Sequence, residues 1–297
     1  MKVATRSNET ERDWVLYCLR FAVSALFLGR GYLYLSDLAP LSAFLWNQDL
    51  LERPLEWLTG MSWESYSAHS EGFILTMQRT MGMLFLAAAL PCWYVRGSRR
   101  RLVNGLVLAA GLFLFVYGLL RWSDADFRIA MLLEQSLQWG APLLLMLYGR
   151  VRDSRWTALA ALLIAATFIG HGCYALGLSV PQNHEFVNMT MRALSLGRPG
   201  ALIFLHAVGV LDFLVPVLFW VPKLRLYALA YAAFWGLLTA FARIFSYWTP
   251  AEDFYGMHPW VAETIVRLPH GLIPLALLLI YLMKDSHLHK SSSGTSL

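Results

Sequence analysis

The sequence predicts an all-α, polytopic membrane protein: a bundle of about eight transmembrane helices arranged as two parallel four-helix repeats. Three observations carry that prediction. The 297 residues are 58% apolar and only 14% charged, whereas a soluble domain carries about a quarter charged residues. The apolar residues gather into runs of roughly twenty, the length that crosses a hydrocarbon core, bounded by arginine clusters or by Trp and Tyr. Motifs of the first half also recur, in order, in the second.

The spans are read at 14–35, 73–95, 102–122, 129–148, 156–178, 201–221, 227–248 and 261–283. This divides the chain into a first membrane repeat (1–150), a second (151–283) and a polar, Ser-rich tail (284–297) expected to be disordered. His287 and His289 in the tail are read as solvated. The first apolar run outlasts a signal-peptide core, so the first span is read as retained.

Arginines orient the bundle. Arg96, Arg99, Arg100 and Arg101 follow the second span, Arg150, Arg152 and Arg155 the fourth, and Lys223 and Arg225 the sixth, all on the side of the N-terminus. Both termini are therefore expected in the cytoplasm of a bacterial-type inner (plasma) membrane. The net charge of +5 is read as this topology signal, and nucleic acid is not an expected partner. The opposite loops are acidic and aromatic. Trp14, Trp93, Trp156 and Trp220 are read as the inner aromatic belt, and Trp122, Trp248 and Trp260 as the outer one.

The first outer loop, 36–71, carries apolar stripes at Phe44, Trp46, Leu50, Leu51, Leu55, Trp57 and Leu58, broken at Pro54. It is predicted to form short helices on the membrane surface or capping the bundle. Residues 181–196 are its shorter counterpart. Cys18, Cys92 and Cys173 lie in spans and form no Cys-x-x-Cys pair, which argues against a dithiol relay.

The repeat is read from short phrases. Phe27, Gly29, Gly31 and Leu35 recur as Phe168, Gly170, Gly172 and Leu176, at a constant offset of 168 − 27 = 141 residues. Arg79-Thr-Met-Gly82 aligns with His206-Ala-Val-Gly209, Trp122 with Trp248, and Gln138-Trp-Gly-Ala-Pro142 with His270-Gly-Leu-Ile-Pro274. Four spans per half is an even number, so both copies share one orientation, as in parallel-repeat transporters.

Superposition of the halves pairs Arg30 with His171, Arg79 with His206 and Gln138 with His270, all predicted in the outward third of their spans. Gln78, Glu134, Gln135, Asp212, Arg243, Glu263 and Arg267 are placed at the same level. Ionisable residues within a membrane mark functional sites. Three imidazoles, His171, His206 and His270, could hold Zn, Cu or Fe, with Asp212 or Glu263 orienting a ring, and two of them could ligate a haem. Equally, they could form a hydrogen-bonded network that joins helices. The arginine-bearing set Arg30, Arg79, Gln138, Arg243 and Arg267 suits an anion or the carbonyl oxygens of a quinone. Glu263 and Arg267 stand four apart on one helix, where they can pair. The glycines are read as close-packing points.

Each half opens with a helix ending Phe-x-Gly-basic-Gly, followed by an outer segment with Pro and Phe (Phe27–Leu35 with Pro40 and Phe44; Phe168–Leu176 with Pro181 and Phe186). In this it resembles the DoxX-like superfamily of four-span membrane units, which includes DoxX, DoxD-type quinone-oxidoreductase subunits and MauE. Typical members are single units, so the tandem duplication is a departure. The resemblance implies a membrane redox or quinone-linked accessory role and supplies no catalytic motif. The expected function is therefore a redox-linked membrane protein, or an accessory subunit of such a system, with a quinone, metal or haem at an outward-facing site. Its expected partners are the lipid bilayer, other membrane subunits and an extracytoplasmic redox protein. A small-solute transporter and a non-catalytic scaffold are the alternatives.

Overall fold

The computed structural model describes residues 2–36, 41–95, 101–178, 184–248 and 254–293. Arg96, Arg99, Arg100, Pro40 and Pro181 lie outside the described residues, as do the side chains of His287 and His289. Among the described residues every regular element is helical. Seven segments are long and apolar enough to cross a membrane, so the chain is a helical polytopic membrane protein.

The first half contains α1 (Lys2–Leu35), the short surface helices α2 (Leu41–Leu45), α3 (Gln48–Thr59) and α4 (Trp63–His69), then α5 (Glu71–Ala89) and α6 (Arg101–Asp124). The predicted fourth span is present as two shorter helices, α7 (Ile129–Glu134) and α8 (Ser136–Leu147). The second half follows the same plan: α9 (Asp153–Ala175), surface helix α10 (His184–Leu194), α11 (Arg198–Phe219) and α12 (Arg225–Tyr247). Its last span is again broken, into α13 (Phe254–Arg267) and α14 (Pro269–Ser293). The helical backbone of α14 thus continues through much of the segment expected to be disordered.

The two breaks have local causes. Pro269 opens α14; it has no N–H to donate and tolerates only the first turn of a helix. In the first half the break falls at Gln135, where the Leu137 N–H is taken instead by Thr167 Oγ1 at 3.0 Å, so the interrupted ladder leaves that donor satisfied.

Packing between the halves follows the repeat. The opening helix of each half lies along the second span of its own half, α1 on α5 and α9 on α11, and crosses to the broken span of the other, α1 on α13–α14 and α9 on α7–α8. Glycines make these crossings possible. A Cβ on Gly29 would stand 2.6 Å from Val266 Cγ1 and 3.1 Å from the Ala262 carbonyl oxygen; one on Gly170 would stand 2.5 Å from the Glu134 nitrogen and 2.8 Å from the Ala130 carbonyl oxygen. Ala262 and Ala130 are equivalent positions under the Gln138–His270 register. Likewise Gly31 abuts Leu86 and Gly82, and Gly172 abuts Phe213 and Gly209. Within lipid, such close approach substitutes for a hydrophobic driving force between helices.

The end of the bundle nearer the N-terminus is here called proximal; Leu19, Leu26, Leu144 and Ile164 are among the buried apolar side chains of the core. Trp14, Trp220 and Trp248 are exposed belt positions. Trp156 is a correction to the predicted belt: it is buried, and its indole N–H donates to the Leu144 carbonyl at 2.9 Å. Polar side chains collect at the opposite, distal end, under α2–α4 and α10.

Candidate functional site

In the first half the equivalent positions close on themselves. Arg30 is 3% exposed. Its guanidinium donates to the Tyr117 hydroxyl at 2.6 Å and to Gln138 Oε1 at 2.5 Å, and its Cζ stands 3.9 Å from the centre of the Tyr117 ring. Two charge-assisted bonds and a ring face offset much of the cost of burying this cation, with Arg30 Nε and Gln138 Nε2 left without hydrogen-bond partners. The three groups are in direct contact with one another.

In the second half the same three positions carry different chemistry. His171 replaces Arg30 and His270 replaces Gln138, and their rings meet edge to face with centroids 5.3 Å apart. Arg243 stands where the first half has Tyr117, each five residues before its matching tryptophan, Trp248 or Trp122. These three side chains line a cavity of about 250 Å³ rather than filling it. Apart from them, Asp212 and Arg267 supply the charged lining, and the remaining walls are largely apolar, with Phe168, Phe186, Phe204, Leu205 and Val208 among them.

Several of these polar groups have capacity to spare. His270 Nε2, His171 Nε2 and Asp212 Oδ1 are buried with no hydrogen-bond partner, and the His270 and Asp212 side chains belong to residues only 2% and 3% exposed. Asp212 also accepts a hydrogen bond from Trp235 in the lining of the cavity. Arg243, 4% exposed, donates to the Thr239 carbonyl at 3.3 Å. Buried polar groups are normally paired, so a cavity that gathers unpaired ones is equipped to bind.

A buried ion network stands beside this cavity at the two helix breaks. Arg267 is ion-paired with Glu263, one turn earlier on the same helix, and approaches Glu134 of the first half with Nη2 to Oε1 at 3.9 Å. The two broken spans are thus bridged by charge. The predicted Glu263–Arg267 pair is present; the link to Glu134 across the halves depends on packing.

Two predicted site residues lie elsewhere. His206 and Arg79, equivalent under the repeat, both face outward from the bundle, because the distal stretches of α11 and α5 turn those positions away from α9 and α1. The three-imidazole metal centre is therefore not assembled: His171 and His270 meet without His206. Among the described residues no group of three or more His, Cys, Asp or Glu side chains is disposed to hold a metal ion. The predicted anion-binding set loses Arg79, while Arg30 and Gln138 are committed to one another. Arg243 and Arg267 line the cavity.

Sequence reasoning overlooked Tyr117 and Trp235, which resemble ordinary aromatic lining of a span. Counting back from the matched tryptophans would have paired Tyr117 with Arg243. No comparable signal marks Trp235, whose role arises only because α12 presents it to Asp212. Comparison with known protein families, with curated proteins and with solved structures finds no match to this chain.

Proposed function

We propose that this membrane protein binds a quinone-class molecule in the cavity of its second half, as a component or accessory subunit of a membrane redox system. The observation that carries the reading is the pairing of unsatisfied buried polar groups, His270 and Asp212, with Arg243 in an otherwise apolar chamber within the membrane. An apolar cavity of about 150 Å³ holds a benzene ring, so the cavity of about 250 Å³ has room for a substituted six-membered ring. A haem macrocycle is far larger. Arg243 and a protonated imidazole nitrogen of His270 donate to a carbonyl oxygen.

Reduction of a bound quinone to quinol takes up two electrons and two protons. In this reading His270 and Asp212 stand on the proton route, and the electrons come from a redox protein docked on the distal loops. The arginine distribution supports an orientation with those loops on the extracytoplasmic side and both termini in the cytoplasm of a bacterial-type plasma membrane. The likeness to DoxX-like units supports the same assignment. The buried apolar core that includes Leu19, Leu26, Leu144 and Ile164 favours a binding chamber over a through-path for solutes.

The test is extraction and rebinding. Protein purified in detergent should carry quinone, or bind added benzoquinone saturably, and His270→Leu should weaken that binding by roughly tenfold or more, about 1.4 kcal/mol. Saturable binding unaffected by both His270→Leu and Arg243→Met would remove the proposed site. Cysteine placed at Thr59 should react with an impermeant maleimide from outside intact cells; labelling only after lysis would overturn the orientation.

A further inference from the structure

The way the cavity is walled says how it is filled. Its roof toward the distal aqueous face is α10. Phe186 of that helix stacks on His171 with ring centroids 6.2 Å apart and meets Tyr174 at 5.9 Å. Val187 and Thr190 are buried, and the Ser246 hydroxyl ties the helix down by donating to the Met189 carbonyl at 2.9 Å. Asp212 and Trp235 line its inner wall. The side is different. Leu238 and Phe245 of α12 and Leu194 at the end of α10 border the cavity, yet are 41%, 65% and 46% exposed on the outer surface of the bundle. Two of the three lie on a membrane-spanning helix, where that surface is covered by lipid chains.

From Leu238 to the distal end of α12 at Tyr247 is nine residues, or roughly 14 Å at 1.5 Å per residue. Against a hydrocarbon core of about 30 Å, the opening spans the distal leaflet down to its midplane. Phe204 of α11, half-buried, also lines the cavity. The aperture is thus a cleft between α11 and α12, apolar at its lips and polar at its back.

We infer that the cavity loads sideways from the distal leaflet through the α11–α12 cleft, and that its occupant is a single-tailed amphiphile. A ring-sized, hydrogen-bond-accepting head meets His270 and Arg243, and a hydrocarbon tail lies out across Leu238 and Phe245 into the bilayer. This rests on the reading of the cavity as a binding site and adds the route and the tail. A chamber of about 250 Å³ takes a ring-sized head, and its apolar, exposed side at Leu238 and Phe245 suits a tail that leaves toward lipid. The lips contribute affinity through apolar contact with the tail, and the back wall selects the head.

The experiment compares two probes in phosphatidylcholine nanodiscs at matched mole fraction in the lipid: a methyl- and methoxy-substituted benzoquinone without a chain, and the same head bearing a long alkyl chain. Binding is read from quenching of Trp235, with Trp235→Phe identifying its share of the signal. Leu238→Trp narrows the cleft at a lipid-facing position that tolerates a larger side chain. It should weaken the tailed probe roughly tenfold and change the bare head less than about twofold. Leu238→Ala, which opens the cleft, should speed association of the tailed probe. Equal losses for both probes, or no loss for the tailed one, would overturn lateral loading while leaving the binding site in place. If neither probe binds the wild-type protein, the quinone reading falls and the inference with it.

Discussion

Consider the double replacement Arg30→Met with Gln138→Leu. Arg30 is held by the Gln138 carbonyl at 2.5 Å and the Tyr117 hydroxyl at 2.6 Å, over the face of the Tyr117 ring. Gln138→Leu alone leaves a buried guanidinium N–H unpaired. A hydrogen bond to a charged group is worth about 1.5–3 kcal/mol in proteins generally, while interhelical bonds measured within a membrane average about 0.6 and reach about 1.7. Because this bond is charge-assisted and fully buried, the upper part of the membrane range applies, and a loss of about 1.5 kcal/mol is expected. Arg30→Met strands Gln138 Oε1 and Tyr117 Oη together and should cost somewhat more, about 2–3 kcal/mol. In the double variant the Gln138 acceptor is gone and only the Tyr117 hydroxyl remains stranded, while apolar groups of similar length take the other two places. It should therefore be less destabilised than the sum of the singles, with a coupling of about 1–1.5 kcal/mol. Reversible unfolding in mixed detergent micelles, monitored by circular dichroism, measures all four corners of the cycle. A coupling below about 0.3 kcal/mol, within the additivity expected of independent sites, would refute the claim that Arg30 is a structural plug held by Gln138.

Other consequences follow from the same geometry. Arg79→Ala and His206→Ala, both outward-facing, should shift stability by no more than about 0.5 kcal/mol and leave quinone binding unchanged; loss of binding in His206→Ala would restore the three-histidine centre. Gly170→Val would press a side chain onto the Glu134 backbone and should cost at least 3 kcal/mol, about the upper bound for ordinary overpacking, or prevent folding, whereas Gly72→Ala, which meets open space, should be silent in the same unfolding assay. Glu263→Gln should destabilise more than Glu134→Gln, because Glu263 is in direct contact with Arg267 while Glu134 stands 3.9 Å away; the reverse order would place the main partner of Arg267 in the other half.

The hydrophobic runs were legible because membrane length and apolar composition are one-dimensional properties: seven of the eight predicted stretches coincide with helices long and apolar enough to cross a membrane, and the fourth is occupied by the shorter α7 and α8. The recurring glycines were legible because positions that admit a crossing helix, such as Gly29 and Gly170, cannot take a side chain without a clash. Residue chemistry at the site was legible too: His171, His270, Arg243, Asp212 and Arg267 were all singled out. What those letters cannot encode is which face of a helix turns inward. His206 and His270 read alike as intramembrane histidines, yet one faces outward and the other is 2% exposed.

The difference between the halves has the same origin. Sequence alone determined that Arg30 and His171, and Gln138 and His270, are counterparts. Only the tertiary structure decided that the first pair bonds and closes its space while the second leaves a chamber open to the side. In the first half the guanidinium reaches Gln138 and Tyr117 and the three close on one another; in the second, His171, His270 and Arg243 line a cavity instead, and how far apart their helices stand is set by packing across the whole bundle.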